Sequence, residues 1–167
     1  MAILPIVTYP SETLKIKCEN VEVFDSELHT ILNNMAETMY DAPGIGIAAP
    51  QVGILKQITV IDLSEDGSEL IELINPIIVN KEGSFTSEEG CLSIPGYRAS
   101  IKRAEKVLVK AQNRLGEEFE IEGEELLSFC LQHEIDHLNG VLFTDKLSRL
   151  KKSLFLTWYK KNEPLIA

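Results

Sequence analysis

His133 and His137 stand four residues apart, with Glu134 beside the first, in the run Gln132-His133-Glu134-Ile135-Asp136-His137. On a helix that spacing puts both imidazoles on one face, one turn apart, so both can reach a single metal ion. A glutamate bordering that face can act on water activated by the ion. The chain has three histidines, and two of them are here. The alternative is a pair of hydrogen-bonded core histidines flanking a salt-bridged glutamate. A buried helix with two histidines and two carboxylates needs partners for all of them, and one metal ion serves both histidines.

A catalytic site of this kind needs a third protein ligand and an open position for water. The extended pattern HExxHxxGxxH would supply another histidine, but its last position is Phe143. The one glutamate after His137 is Glu163, in Lys161-Asn162-Glu163-Pro164, a poor helix for a ligand because of the proline and the nearby chain end. Thiolates remain. Three cysteines without a secretory segment argue against a disulfide framework. Cys91 lies in Glu88-Glu89-Gly90-Cys91-Leu92-Ser93-Ile94-Pro95-Gly96, read as a glycine-punctuated turn that can aim a side chain. Cys130 is one turn before His133 on the same helix face, so Cys91, Cys130, His133 and His137 could instead close a structural Cys2His2 site in a binding protein. Cys18 reads as a surface or half-buried thiol.

The elements around these residues must hold them in place. Glu124-Glu125 followed by Leu126-Leu127-Ser128-Phe129-Cys130-Leu131 predicts a buried helix with acids at its start, stopped by Asn139-Gly140. Gly44-Ile45-Gly46-Ile47-Ala48-Ala49-Pro50-Gln51 has no helical period and no phosphate-loop lysine. Its small residues suit an edge strand that pairs with an extended peptide; a tight turn would explain the glycines but not Gln51. Asp25 or Ser26 caps a helix with the stripe Leu28, Ile31, Leu32, Met35 and Met39, leaving His29 solvated. Strands are expected at Gln57–Leu63, Leu70–Val79 (broken at Pro76), Lys106–Gln112 and Glu118–Glu122, the last two joined by a hairpin at Asn113-Arg114-Leu115-Gly116. Phe119 and Ile121 alternate with acids, as in a half-exposed strand. Strands before a buried metal helix imply an α+β fold, with sheets wrapped around that helix.

Together the three motifs resemble those of the bacterial peptide deformylases: Gly44 to Gln51, Glu89-Gly90-Cys91-Leu92-Ser93, and Gln132 to His137. The resemblance spans nearly the whole chain and implies the same α+β fold. One departure lies beside the motifs: many members carry bulky apolar residues just before Glu88-Glu89, where this chain has Thr86 and Ser87. The resemblance implies hydrolysis of the formyl group from the N-terminal formyl-methionine of new polypeptides. Cys91, His133 and His137 would hold one divalent ion, Fe2+ by family habit, with Zn2+, Ni2+ or Co2+ able to substitute. Glu134 would be the base and acid, and Gln51 with the backbone N–H of Leu92 the oxyanion donors. Ile45, Gly46 and Gly90 would flank the peptide, and Ile45, Leu126, Phe129, Cys130 and His133 would line the methionine pocket. Another HExxH peptidase, cutting internal bonds, is the remaining enzymatic alternative.

At 167 residues the chain reads as one catalytic domain, residues 1–167. No apolar run reaches membrane-spanning length, and Met1-Ala2-Ile3-Leu4-Pro5 lacks a secretion signal, so a cytoplasmic protein is expected. The net charge is −10, yet Lys146 to Lys161 holds six basic residues and no acid. Leu147, Leu150, Leu154 and Trp158 predict an amphipathic C-terminal helix there. By family resemblance that helix would make a transient contact with the ribosome.

Overall fold

The computed structural model describes residues 2–166. Helix α1 (Ser26–Asp41) starts where Asp25 accepts the Leu28 N–H at 3.2 Å. Leu28, Leu32, Met35 and Met39 form its buried face, with Ile31 packed at the margin. His29 is half-buried rather than solvated: its Nε2 lies 2.9 Å from the Arg114 carbonyl, which makes that nitrogen the donor.

The strands are β1 (Gly46–Ala48), β2 (Ile58–Ile61), β3 (Ile71–Glu82), β4 (Phe85–Cys91), β5 (Ile94–Arg103), β6 (Lys106–Gln112) and β7 (Glu118–Glu124). All pairings are antiparallel. Five strands form one sheet in the order β1-β2-β3-β6-β7, and β4 with β5 forms a separate two-stranded ribbon. Ile58 and Val60 of β2 join the cluster under α1. Ile61, on the other face, joins the cluster under α2 (Leu126–Leu138). Helices therefore cover both faces of the sheet, which is why every residue of β2, Thr59 included, is buried. The ribbon closes over the far side of α2, giving the α+β arrangement of sheets around the metal-motif helix.

Other sequence expectations also need correction. Pro76 does not break β3; Asn75, at φ 54°, and Pro76 form a bulge between the paired residues Ile74 and Ile77. Proline is tolerated at a bulge because no ladder hydrogen bond is asked of it, and the Asn75 side chain bonds both backbone groups of Val21. The stretch Glu88–Gly96 is not an open turn but two paired strands, with Leu92 and Ser93 as the reversal between Cys91 and Ile94. Cys18 is buried, not superficial, and burial pushes its thiol up to about 11.

The C-terminal helix α3 (Arg149–Ile166) continues through Pro164. Its docking face also differs from the expected stripe. Phe155 is buried and Trp158 and Tyr159 are half-buried, in a cluster with Tyr9, Tyr97 and Phe143. Leu150 and Leu154 are 71% and 58% exposed. Leu147 is buried but precedes the helix. No described helix is long and apolar enough to cross a membrane.

Candidate metal centre

Helix α2 presents His133 and His137 from one face, and the end of β4 brings Cys91 to meet them. Cys91 Sγ lies 3.3 Å from His137 Nε2, and the two Nε2 atoms are 3.2 Å apart. The three donor atoms all fall within 4.8 Å of one another. Two imidazole nitrogens and a sulfur converging on one point are donor types for a divalent transition-metal ion. Cys130 is not part of that group: it packs with Leu131 and Ile135 against β2, β3 and β6. Burial, followed by the Glu134 charge, pushes its thiol up to about 12, so it remains a thiol. A closed Cys2His2 site is thus not formed.

Burial disfavours charge on both histidines. It carries His137 well below its ordinary pKa, which keeps that ring a neutral ligand. At His133 the bonds to Cys91 and Glu89 outweigh burial and raise the pKa well above it. An ion held there would compete with that proton.

Glu134 is buried, and its Oε1 has no hydrogen-bond partner. Desolvation pushes its carboxyl up to about 7, against the opposing charges of His133 and Arg103. A carboxyl near neutrality can both accept and release a proton. Gly46 explains itself here, since a Cβ would come within 2.6 Å of Glu134 Oε2. Gly140, which ends α2 at φ 77°, is fixed by backbone: its Cβ position is 2.5 Å from the Lys15 carbonyl oxygen.

Gln51 follows β1 in a short 3-10 turn (Ala49–Val52) and is 1% exposed. Its Oε1 accepts the Ala48 N–H at 2.9 Å, which turns Nε2 toward Ser93 Oγ at 3.1 Å and Cys91 Sγ at 3.6 Å. A cleft of about 720 Å³ opens over these groups. It is lined by every residue expected to touch substrate (Ile45, Gly46, Gly90, Leu126, Phe129 and Cys130) and also by Gln51, Cys91, Leu92, His133 and Glu134. His137 is buried behind it.

The family model for polypeptide deformylase matches residues 3–153. The chain belongs to the peptide deformylase family. It is 52% identical to the peptide deformylase of Thermodesulfovibrio yellowstonii, over 96% of this chain and 98% of the relative. Among solved structures it resembles a peptide deformylase from Legionella pneumophila at a TM-score of 0.93 and 49% identity, covering 98% and 96% of the two chains. It also resembles that of Synechococcus elongatus in complex with actinonin, at a TM-score of 0.87 and 41% identity over 92% and 87%.

Around the three candidate ligands lies a support that sequence reasoning left without a role. Glu89 Oε1 is 3.0 Å from His133 Nδ1, which fixes the ring with Nε2 facing the metal position. Arg103 holds Glu89 through two bonds, at 2.6 and 2.9 Å, and reaches Asp136 at 2.8 Å. Burial acts to raise the Glu89 carboxyl, but its bonds to His133 and Arg103 prevail and lower it. Ser93 donates its N–H to Cys91 Sγ at 3.4 Å and accepts from Gln51. Glu89 and Ser93 were visible inside the cysteine motif. Arg103 carried no local signal, because its partners are far along the chain.

Proposed function

We propose that this deformylase binds one divalent ion through Cys91, His133 and His137, and that Glu134, Gln51 and Leu92 act on the substrate. The enzyme removes the formyl group from the N-terminal formyl-methionine of newly made polypeptides, releasing formate. The observation carrying the residue roles is the buried, unpaired Glu134 carboxylate set against a convergent Cys-His-His group at the floor of an apolar cleft. When bound, the ion supplies Lewis acidity and brings the pKa of water from about 16 toward neutrality.

Glu134 takes the proton of the attacking water and returns it to the leaving amine. Gln51 Nε2, its amide held in one orientation by the Ala48 N–H, donates to the developing oxyanion together with the Leu92 backbone N–H. The peptide lies extended between β1, which is an edge strand, and β4, which pairs only with β5. Ile45, Gly46 and Gly90 border that path. The methionine side chain enters between Leu126, Phe129 and Cys130.

We assign Fe2+ as the working ion, with Zn2+, Ni2+ or Co2+ able to replace it. A thiolate ligand beside a solvent-reached ferrous ion is open to oxidation, so activity decays in air with Fe2+ and persists with Ni2+. The enzyme works in the cytoplasm, and α3 makes a transient ribosome contact, a reading supported by the six basic residues between Lys146 and Lys161. The test loads apo-protein with each ion and follows formate release from formyl-methionyl and unformylated peptides, with and without oxygen. Cys91→Ser measured alongside should bind metal more weakly. Equal rates and lifetimes for all ions remove the Fe2+ assignment; normal metal affinity in the variant removes Cys91 as a ligand.

A further inference from the structure

Phe85, Ser87 and Glu89 alternate along β4 and so share one face of the strand. The two outer residues are fixed on α2. Phe85 stacks on Phe129, with ring centroids 5.2 Å apart at 17°, and Glu89 bonds His133. Phe129 and His133 are one helical turn apart on the same face. Ser87, midway between, is therefore aimed at the stretch of α2 that lines the side-chain pocket. It is half-buried and lines the cleft with Leu126, Phe129 and Cys130. In that wall it is the one hydroxyl, half-buried and open to the cleft, and it makes no hydrogen bond to another described residue.

A pocket hydroxyl of this kind discriminates. A side chain without an acceptor strips the hydroxyl of water and gives nothing back. A side chain of the same length with an acceptor at its third heavy atom restores the bond. We propose that Ser87 sets the side-chain preference of this cleft and that the enzyme accepts N-formyl peptides beginning with methionine sulfoxide, whose sulfoxide oxygen takes the Ser87 hydrogen bond. The inference rests on the deformylase reading. The reaction is unchanged: water adds to the formyl carbon, the C–N bond breaks, the proton goes to the amine, and the sulfoxide leaves as it came.

The test compares kcat/KM for three peptides with one shared tail, carrying formyl-methionine, formyl-methionine sulfoxide or formyl-norleucine, on the metal-loaded full chain. The wild type should process the sulfoxide within about tenfold of methionine, since one hydrogen bond shifts preference by about that factor. Ser87→Ala should lower the sulfoxide-to-norleucine ratio roughly 5- to 10-fold, and Ser87→Thr, which keeps the hydroxyl, should restore it. A ratio unmoved by Ser87→Ala, or one lost equally in Ser87→Thr, overturns the proposal. So does a sulfoxide peptide that stays inert while the other two release formate. Release from none of the three peptides would instead defeat the deformylase reading itself.

Discussion

α2 and α3 are both helices with apolar stripes and charged residues, yet one is enclosed and the other is docked by a single face. Nine of the thirteen residues of α2 are buried, between the five-stranded sheet and the β4–β5 ribbon. In α3 Phe155 is buried, while Leu150, Leu154 and Leu156 face outward. The difference teaches how far a side chain's role can be read from its type. On an enclosed helix each polar residue must find a partner, so two histidines and a glutamate in the interior announce chemistry. On a helix held by one face, several apolar stripes are available. The partner surface chooses among them, and here the aromatic cluster of Tyr9, Tyr97 and Phe143 selected Phe155, Trp158 and Tyr159.

The sharpest probe of the enclosed helix is Glu134→Gln. It should keep the fold and the metal but lower turnover by about 10³-fold or more, because base and acid roles vanish together. Near-normal formate release with full metal content would remove the residue from the mechanism. Arg103→Met tests the polar support beneath the same helix. Removing the guanidinium from buried Glu89, with Asp136 left to Lys146 alone, should cost about 3–5 kcal/mol in urea unfolding, with weaker metal retention as His133 loses its orientation. A loss under about 1 kcal/mol would show that the buried charges find other partners.

Phe155→Ala carries the comparison to α3. The cavity should cost about 3 kcal/mol, and proteolysis should then start in the C-terminal helix; an unchanged unfolding midpoint would mean that the aromatic cluster does not hold the helix. Gln51→Ala should reduce turnover roughly 10²-fold, equivalent to about 2.7 kcal/mol, the effect of one oxyanion donor. A rise in KM alone would make Gln51 a binding residue. The smallest effect is expected for Leu154→Ser, within about 0.5 kcal/mol in stability. A larger loss would restore the leucine stripe as the docking face.

Much of the site was legible before the fold because its pieces are local. His133 and His137 are bound together by helical spacing, and Glu134 needs no distant residue to be recognised. Gly46 and Gln51 flag a short strand and turn with special steric demands, and the close approach of Glu134 to Gly46 is the reason for one of them. The helix stop at Gly140 and the hairpin at Asn113–Gly116 were likewise local turn chemistry. What the three-dimensional structure decided is what depends on residues far apart. Cys91 and Cys130 were equal candidates by type, and only the pairing of β4 with β5 put one sulfur beside the imidazoles and left the other in the core. The Thr86-Ser87-Glu88-Glu89 segment showed no apolar alternation because the residues that face α2, Ser87 and Glu89, are as polar as the exposed Thr86 and Glu88. Arg103 and Asp136 gained their meaning from contacts across 33 residues of chain. Local spacing fixes which groups can act; long-range packing fixes which of them meet, since sheet pairing and helix docking, not side-chain type, set the distances between elements.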